Sequence, residues 1–352
     1  MDGVNVHSIQ VRARDERSQA TYLLRVLRFF LHSAYFIARK HLANPYQLIQ
    51  VSVPDFLVFA AFLPRLLGTP VILDNRDVLP EFYCSKFKAR TDSIVFKLLV
   101  LVEKCSAAFA DHVIVANDLW YQRLTVRSVR REKCTSIRNY PDADLFFQRP
   151  RARGDGKFVV MYPGTLNFHQ GLDVAIRAFA QIKDTIPEAE FHIYGEGPER
   201  ARLIELVDIL GLSGKVLFKP VMPYSQIAQV MADANVAVVP KRSSSCFGNE
   251  AASTKIFEFM AVGVPVIVSR TEIDSYYFDG SLVKFFESEN EADLAESILL
   301  LYRNQGLRKQ LASNAANYAQ KNSWQSKKLQ YLHLVDSLAM GKKHGQNPRR
   351  LE

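Results

Sequence analysis

The stretch that most constrains this chain is Phe247–Ser269, FGNEAASTKIFEFMAVGVPVIVS. It predicts a polar loop, a short helix, a tight turn and a buried strand. Ser253 or Thr254 caps the helix start, because a short side-chain oxygen there accepts an orphan backbone N–H. Gly263 ends the helix, since glycine takes the left-handed conformation after a helix without penalty. Pro265 cannot continue it. Val264–Val268 is apolar and β-branched and reads as a strand buried on both faces.

The rest of the chain repeats that kind of unit. In the first half Val4–Val11 alternates and predicts a strand, followed by a charged loop over Arg12–Arg17. A long helix is expected over Tyr22–Ala43. Strands Leu48–Val53, Val71–Asp74, His112–Ala116 and Thr135–Arg138 then alternate with helices Asp55–Leu67, Thr91–Phe109 and Asp118–Val126. In the second half strands Phe158–Tyr162, Glu190–Gly195, Lys215–Phe218 and Val236–Pro240 alternate with a helix opened by Gly171 and with helices Glu199–Leu210 and Gln226–Ala234. Helices Ala292–Tyr302 and Leu307–Gln320 follow, and a last one runs from Ser323 to about Leu338. Alternating strands and helices imply an α/β fold with parallel sheets. The length of 352 residues suits two domains. The polar run Arg151–Gly156 is the expected linker. The division is therefore a first domain over 1–150, a second over 157–322, a terminal helix over 323–340 and a basic tail over 341–352.

Chemistry-bearing residues collect at turns after strands, where α/β sheets bind ligands. The helix N-terminus at Ser253-Thr254 offers free N–H groups and a positive dipole end to a phosphate. Lys255 sits in the first turn, where a cation is unfavourable to the helix, and an anion at that spot explains it. Glu250 and Glu258 are placed to accept hydrogen bonds from sugar hydroxyls, Glu258 on a ribose and Glu250 on a transferred sugar. Glycines at Gly164, in a turn after a strand, and Gly171, opening the next helix, let backbone N–H groups approach a diphosphate. A dehydrogenase reading of Gly195-Glu-Gly197-Pro fails, because the third glycine of G-x-G-x-x-G would fall on Arg200.

Glu250 and Glu258, E-x7-E, followed by F-M-A-x-G-x-P-V, resemble the donor-site signature of the family 4 retaining glycosyltransferases. The resemblance is close over Phe158–Ser269 and looser over Val4–Phe147. It implies the GT-B fold, α/β with two Rossmann-like domains facing across a cleft, the terminal helix crossing back to the first. It implies transfer of a sugar from a nucleoside diphosphate to an acceptor hydroxyl with retained configuration, and no metal or other cofactor. By the same resemblance Glu250 is the catalytic-site carboxylate. The donor contacts are Gly164, Gly195, Gly197, Met222 (backbone to the base), Ser253, Thr254, Lys255 and Glu258. The leaving phosphate itself helps to deprotonate the acceptor. Candidate phosphate or sugar contacts are Arg76, Asp77, His169, Gln170 and Lys241, with Arg242 a further source of charge. Three departures stand out. Arg76-Asp77 occupies the place of a family His-Asp. Thr165 and Gln170 replace two cations that relatives direct at the diphosphate. Relatives also open with one more strand and a glycine-rich loop, so the resemblance implies an N-terminally incomplete first domain. These departures keep two other readings open, a catalytically impaired binding subunit and a GT-B sugar-nucleotide epimerase.

The formal charge of +9 favours anionic partners. Without a basic-aromatic motif, nucleic acid is excluded; a nucleotide-sugar donor and a glycan or lipid-linked acceptor remain, in polysaccharide or lipid-linked glycan biosynthesis. Four scattered cysteines fit reduced thiols and a cytoplasmic location. No signal peptide or uninterrupted spanning segment is expected. Tyr22–Ala43 carries Arg25, Arg28, Arg39 and Lys40 and reads as a core-facing helix with a basic outer face. The sharper alternative is a helix resting on an anionic membrane surface, with the basic tail as a weak tether.

Overall fold

The computed structural model describes residues 3–9, 19–52, 54–87 and 90–340, with the side chains of 19–23 and 85–87 left aside. The expected loop over Arg12–Arg17 and the basic tail from Gly341 lie outside the described residues, as do Gln10, Val11 and Val53. The chain forms two compact units. One comprises Met1–Ile137 together with Gln330–Glu352, the other Arg138–Leu329.

In the first unit helix α1 (Gln19–Ala43) leads into strand β1 (Ile49–Ser52), a 3-10 turn over Asp55–Ala61 and helix α2 (Phe62–Leu66). Strand β2 (Val71–Asn75), helices α3 (Leu79–Phe87) and α4 (Ile94–Phe109), strand β3 (His112–Val115), helix α5 (Asp118–Arg127) and strand β4 (Cys134–Ser136) follow. The four strands pair in parallel in the order β1-β2-β3-β4. β2 and β3 are buried along their whole length, as central strands with two covered faces must be. Ser93 and Asn117 cap α4 and α5 by accepting the amides of Phe96 and Trp120. The strand expected over Val4–Val11 is not formed in residues 3–9. Val4 and Val6 are 66% and 70% exposed, so the alternation has no apolar face to bury. His7 rests instead against Phe36 of α1. Helix α3 occupies ground expected to be a loop from Asn75 to Glu81.

The second unit holds strand β5 (Phe158–Pro163), helix α6 (Leu172–Ile182), strand β6 (Ala189–Tyr194), helix α7 (Arg200–Ile209), strand β7 (Val216–Lys219), helix α8 (Tyr224–Ala232) and strand β8 (Val236–Val239). Helices α9 (Cys246–Glu250) and α10 (Thr254–Val262), strand β9 (Val266–Ser269), helix α11 (Glu272–Tyr277), strand β10 (Lys284–Phe286) and helices α12 (Glu291–Arg303), α13 (Gln305–Lys321) and α14 (Trp324–Met340) complete it, the last passing into the first unit at Gln330. All six strands are parallel, in the order β10-β9-β8-β5-β6-β7. Alternate residues face opposite layers. Val160 and Tyr162 of β5 join Val236, Val238 and Ile267 under α6, α7 and α12. Val159 and Met161 join Ala237, Val239, Val266 and Val268 under α8, α10 and α13. The chain runs outward from β5 to β7, then crosses to β8 on the other side of β5. That reversal opens a crevice at the carboxyl ends of the strands.

Residues 138–150, assigned above to the first domain, pack with the second unit. Phe146 is part of its core, and the Arg138 guanidinium lies 4.4 Å from the Tyr277 ring. The linker Arg151–Gly156 is therefore internal to the second unit.

Candidate functional site

The crevice of the second unit is a cavity of about 460 Å³, in the range of small-molecule sites. Its walls come from the ends of β5 and β6 (Gly164, Thr165, Gly195), from Val221 and Met222 beyond β7, from Tyr224, Ile227 and Met231 of α8, and from Thr254, Lys255 and Glu258 of α10.

Glycine is required where the two turns meet. Gly195 has φ +152°, and an added Cβ would stand 1.8 Å from the Gly164 carbonyl oxygen; at Gly197 it would meet Leu166 O at 2.4 Å. The turns are thus pressed backbone to backbone. Gly164, at φ +139°, leaves room for a side chain, since its Cβ would lie 2.1 Å from Lys255 Cε. Lys255 runs through that gap with Nζ 5.4 Å from the centre of the Tyr162 ring. Burial pushes its pKa down to about 8; the Glu258 carboxylate opposes that shift and Lys241 adds to it. Burial in turn raises the Glu258 pKa, against the pull of Lys255 and of a hydrogen bond from Thr254. A lysine and a carboxylate, partly desolvated and three residues apart on α10, therefore share the mouth of the helix N-terminus.

Ser253 occupies the N-cap position of α10 but makes no capping bond. Its Oγ is buried without a hydrogen-bond partner. The capping expected of Ser253 or Thr254 is not made at this N-terminus, and the Thr254 side chain hydrogen-bonds Glu258. The first-turn N–H groups are left uncapped by side chains, the arrangement that favours an anion. Gly263 ends α10 at φ +81° as expected.

The other expected residues divide. Met222 lines the cavity. Lys241 is turned away into a buried ion pair, with Nζ 2.8 Å from Asp274 and bonded to the Ala251 carbonyl at 2.8 Å. Arg242 binds Asp173 and Glu289 and stacks on Phe168. Neither cation reaches the cavity wall. Gln170 accepts the Tyr162 hydroxyl at 3.1 Å. His169 gives its carbonyl to the Arg242 amide; burial, helped by Lys255 and Lys241, lowers its pKa to about 4, so the ring is neutral near pH 7. Glu250 ends helix α9, 7% exposed, with Cys246 Sγ 3.9 Å from its Oε1; it is not among the cavity-lining residues. Ser245 caps α9 at the Gly248 amide, and Gly248 allows the Arg242 carbonyl to approach, its Cβ position lying 2.4 Å away.

Arg76 and Asp77 belong to the first unit, after β2. Arg76 donates from Nε and Nη2 to Asp74 at 3.1 and 3.0 Å. Burial raises the Asp77 pKa, opposed by Arg76. Beneath that loop lies a polar core that sequence reasoning missed. Asp55 is fully buried and accepts Asn75 Nδ2 at 3.2 Å. Burial, together with Glu103 and Asp77, pushes its pKa up to about 7. Arg127 bridges Glu81 and Glu103. The apolar cavity wall of Val221, Tyr224, Ile227 and Met231 was missed as well; the only signal was the apolar face of α8, which reads equally well as core.

The profile of the glycosyl transferases group 1 matches residues 145–318, and that of the glycosyl transferase 4-like domain matches residues 1–140. The chain belongs to the GT-B glycosyltransferases of the family 4 kind. Among curated relatives, a colanic acid biosynthesis glycosyltransferase of Escherichia coli is 29% identical over 45% of this chain and 39% of its own length. An alpha-D-kanosaminyltransferase of Streptomyces kanamyceticus is 23% identical over 73% of this chain and 68% of its own. The match thus spans well under half of the first relative. Sucrose-phosphate synthase from Thermosynechococcus elongatus superposes with a TM-score of 0.74 at 20% identity, covering 90% of this chain and 79% of that one. Anabaena HepE in complex with UDP and glucose gives 0.70 at 21% identity, over 87% and 81%. These likenesses make the fold GT-B.

Proposed function

We propose that the protein transfers a glycosyl group from a nucleoside diphosphate sugar to an acceptor hydroxyl in glycan biosynthesis, with retention of anomeric configuration. The observation that carries this is the cavity in which Lys255 and the uncapped start of α10 face two glycine turns, with Glu258 one turn along. The diphosphate lies against Lys255 and the α10 amides, the ribose hydroxyls on Glu258, and the base beside Met222. The anomeric C–O bond to the diphosphate breaks as the acceptor oxygen bonds to the same face, and the acceptor proton passes to the departing phosphate. Donor dipoles and the ammonium stabilise the charge that develops on that phosphate. Glu250 orients the transferred sugar. The curated relative in colanic acid biosynthesis and the neighbour holding UDP and glucose support a nucleotide-sugar donor and a glycan acceptor.

A thermal-shift panel of UDP, GDP, ADP and CMP on wild type and Glu258→Ala tests the reading. One nucleoside diphosphate stabilises wild type, by about 2.7 kcal/mol at a hundred times its dissociation constant, and the variant loses most of that shift. No shift with any nucleotide overturns it. A shift without turnover of the matching nucleotide sugars favours a binding subunit, a reading to which the engagement of Gln170 and Arg76 by their neighbours lends weight.

A further inference from the structure

The surface of the first unit carries apolar side chains that its core does not use. Helix α1 buries Ser33 and His41 and turns Leu24, Leu27, Leu31, Tyr35 and Leu42 outward, each more than half exposed. At 3.6 residues per turn these five fall within about 80° of arc. Arg28 and Arg39, both exposed, border the stripe on one side. The outer face of α1 is thus apolar with a basic edge, which corrects the expectation of a basic outer face alone. Helix α4 repeats the pattern: Ile94, Leu98 and Leu101 are exposed opposite buried Glu103 and Ala107, and exposed Lys97 and Lys104 flank them. Between the two helices α2 exposes Phe62 and Leu66. Aromatic contacts tie the pieces into one layer, Phe30 of α1 to Phe56 at 6.4 Å, and Phe59 and Phe62 to Phe109 of α4 at 5.1 and 6.4 Å.

The charge on this layer has one sign. α1 and α2 contain no carboxylate, and the one in α4, Glu103, is buried against Arg127. Arg65 is paired with Asp111 and Arg90 with Asp92, but no carboxylate pairs with Arg28, Arg39, Lys97 or Lys104 among the described residues. A second copy of the chain would bring these cations against their own kind. No described helix is long and apolar enough to cross a membrane.

We propose that this layer docks on the surface of an anionic lipid bilayer. Its leucines and Phe62 sit at the boundary between headgroups and acyl chains, and its cations on lipid phosphates. The surface belongs wholly to the first unit, so the proposal stands apart from the nucleotide cavity of the second.

The full chain is floated with vesicles of phosphatidylcholine, with and without phosphatidylglycerol. Wild type floats with the anionic vesicles, stays in solution with the neutral ones, and is released as salt screens the contact. Arg28→Gln with Lys97→Gln lowers the partition coefficient roughly 25-fold, about five-fold for each cation. Leu31→Glu or Leu98→Glu lowers it about ten-fold or more. Both leucines are exposed, and an unchanged thermal transition shows that the variants are folded. Failure of wild type to float with anionic vesicles overturns the proposal. So does flotation of the leucine variants equal to wild type, which would reduce the contact to the net charge of the chain. A concentration-dependent dimer that Leu31→Glu dissolves, without flotation, assigns the face to another occupant and also overturns it.

Discussion

Gly164→Ala separates the Lys255 ammonium from the rest of the cavity. The new Cβ would lie 2.1 Å from Lys255 Cε and 3.0 Å from Nζ, so the end of the lysine must swing out of its gap, while no backbone atom is struck. The left-handed φ of +139° adds strain of about 1–3 kcal/mol, which lowers the thermal midpoint without unfolding the unit. A hydrogen bond to a charged group is worth about 1.5–3 kcal/mol, so displacing the ammonium weakens nucleoside diphosphate binding roughly 10- to 150-fold. Titration calorimetry on wild type, Gly164→Ala, Lys255→Ala and the double variant checks the route. If Gly164 acts through Lys255, the double variant binds no more weakly than Lys255→Ala, and the coupling energy nearly equals the single effect. The nucleoside without its phosphates should bind all four proteins alike. Losses that simply add refute the reasoning, because glycine would then serve the ligand independently of the lysine.

Other expectations follow from the same geometry. Lys255 titrates at about 8 in the free protein, and the diphosphate prefers its charged form, so affinity measured by calorimetry should hold below pH 8 and fall by up to about ten-fold per unit above it; Lys255→Ala should flatten that limb. Lys241→Met strands the Asp274 carboxylate, 1% exposed, and should lower stability in urea by about 3–5 kcal/mol, with Asp274→Asn in the same chain recovering part of the loss. Asp55 has its pKa raised from 3.8 to about 7. Its folded form therefore holds the proton more tightly, and its contribution to stability is complete below pH 4 and is lost as the pH rises to 7. Asp55→Asn should thus gain on wild type by about 2–4 kcal/mol at pH 8 and by clearly less at pH 5; a gain equal at both pH values contradicts the assignment.

The strands of the second unit were legible because β5, β8 and β9 are uninterrupted apolar runs that only a doubly covered sheet can hide. Val4–Val11 misled because alternation states that one face is apolar, not that a neighbour exists to receive it. α9 was read as loop because the five residues Cys246–Glu250 around Gly248 are too few and too mixed to carry a periodicity. In the site, Lys255 and Glu258 were legible from local chemistry in the first turns of α10, and the glycines from their place in the turns after β5 and β6. Lys241 and Arg242 were not, since their partners Asp274, Asp173 and Glu289 lie 33 or more positions away in sequence. A cation looks free in a sequence until the acid that holds it is placed. The buried Asp55 and Glu103 were invisible for the same reason, being brought together by the packing of the 3-10 turn against α4.

The return of the chain to its first unit at Gln330 has a consequence for biosynthesis. Tyr331 donates its hydroxyl to Gln50 Oε1 at 2.7 Å, across 281 positions of sequence. Domains commonly fold in the order in which the ribosome releases them. Here the unit that emerges first is joined by a segment made after the whole of its neighbour. The contacts that segment makes with the first unit, Tyr331 with Gln50 among them, can therefore form only after the second half has been translated.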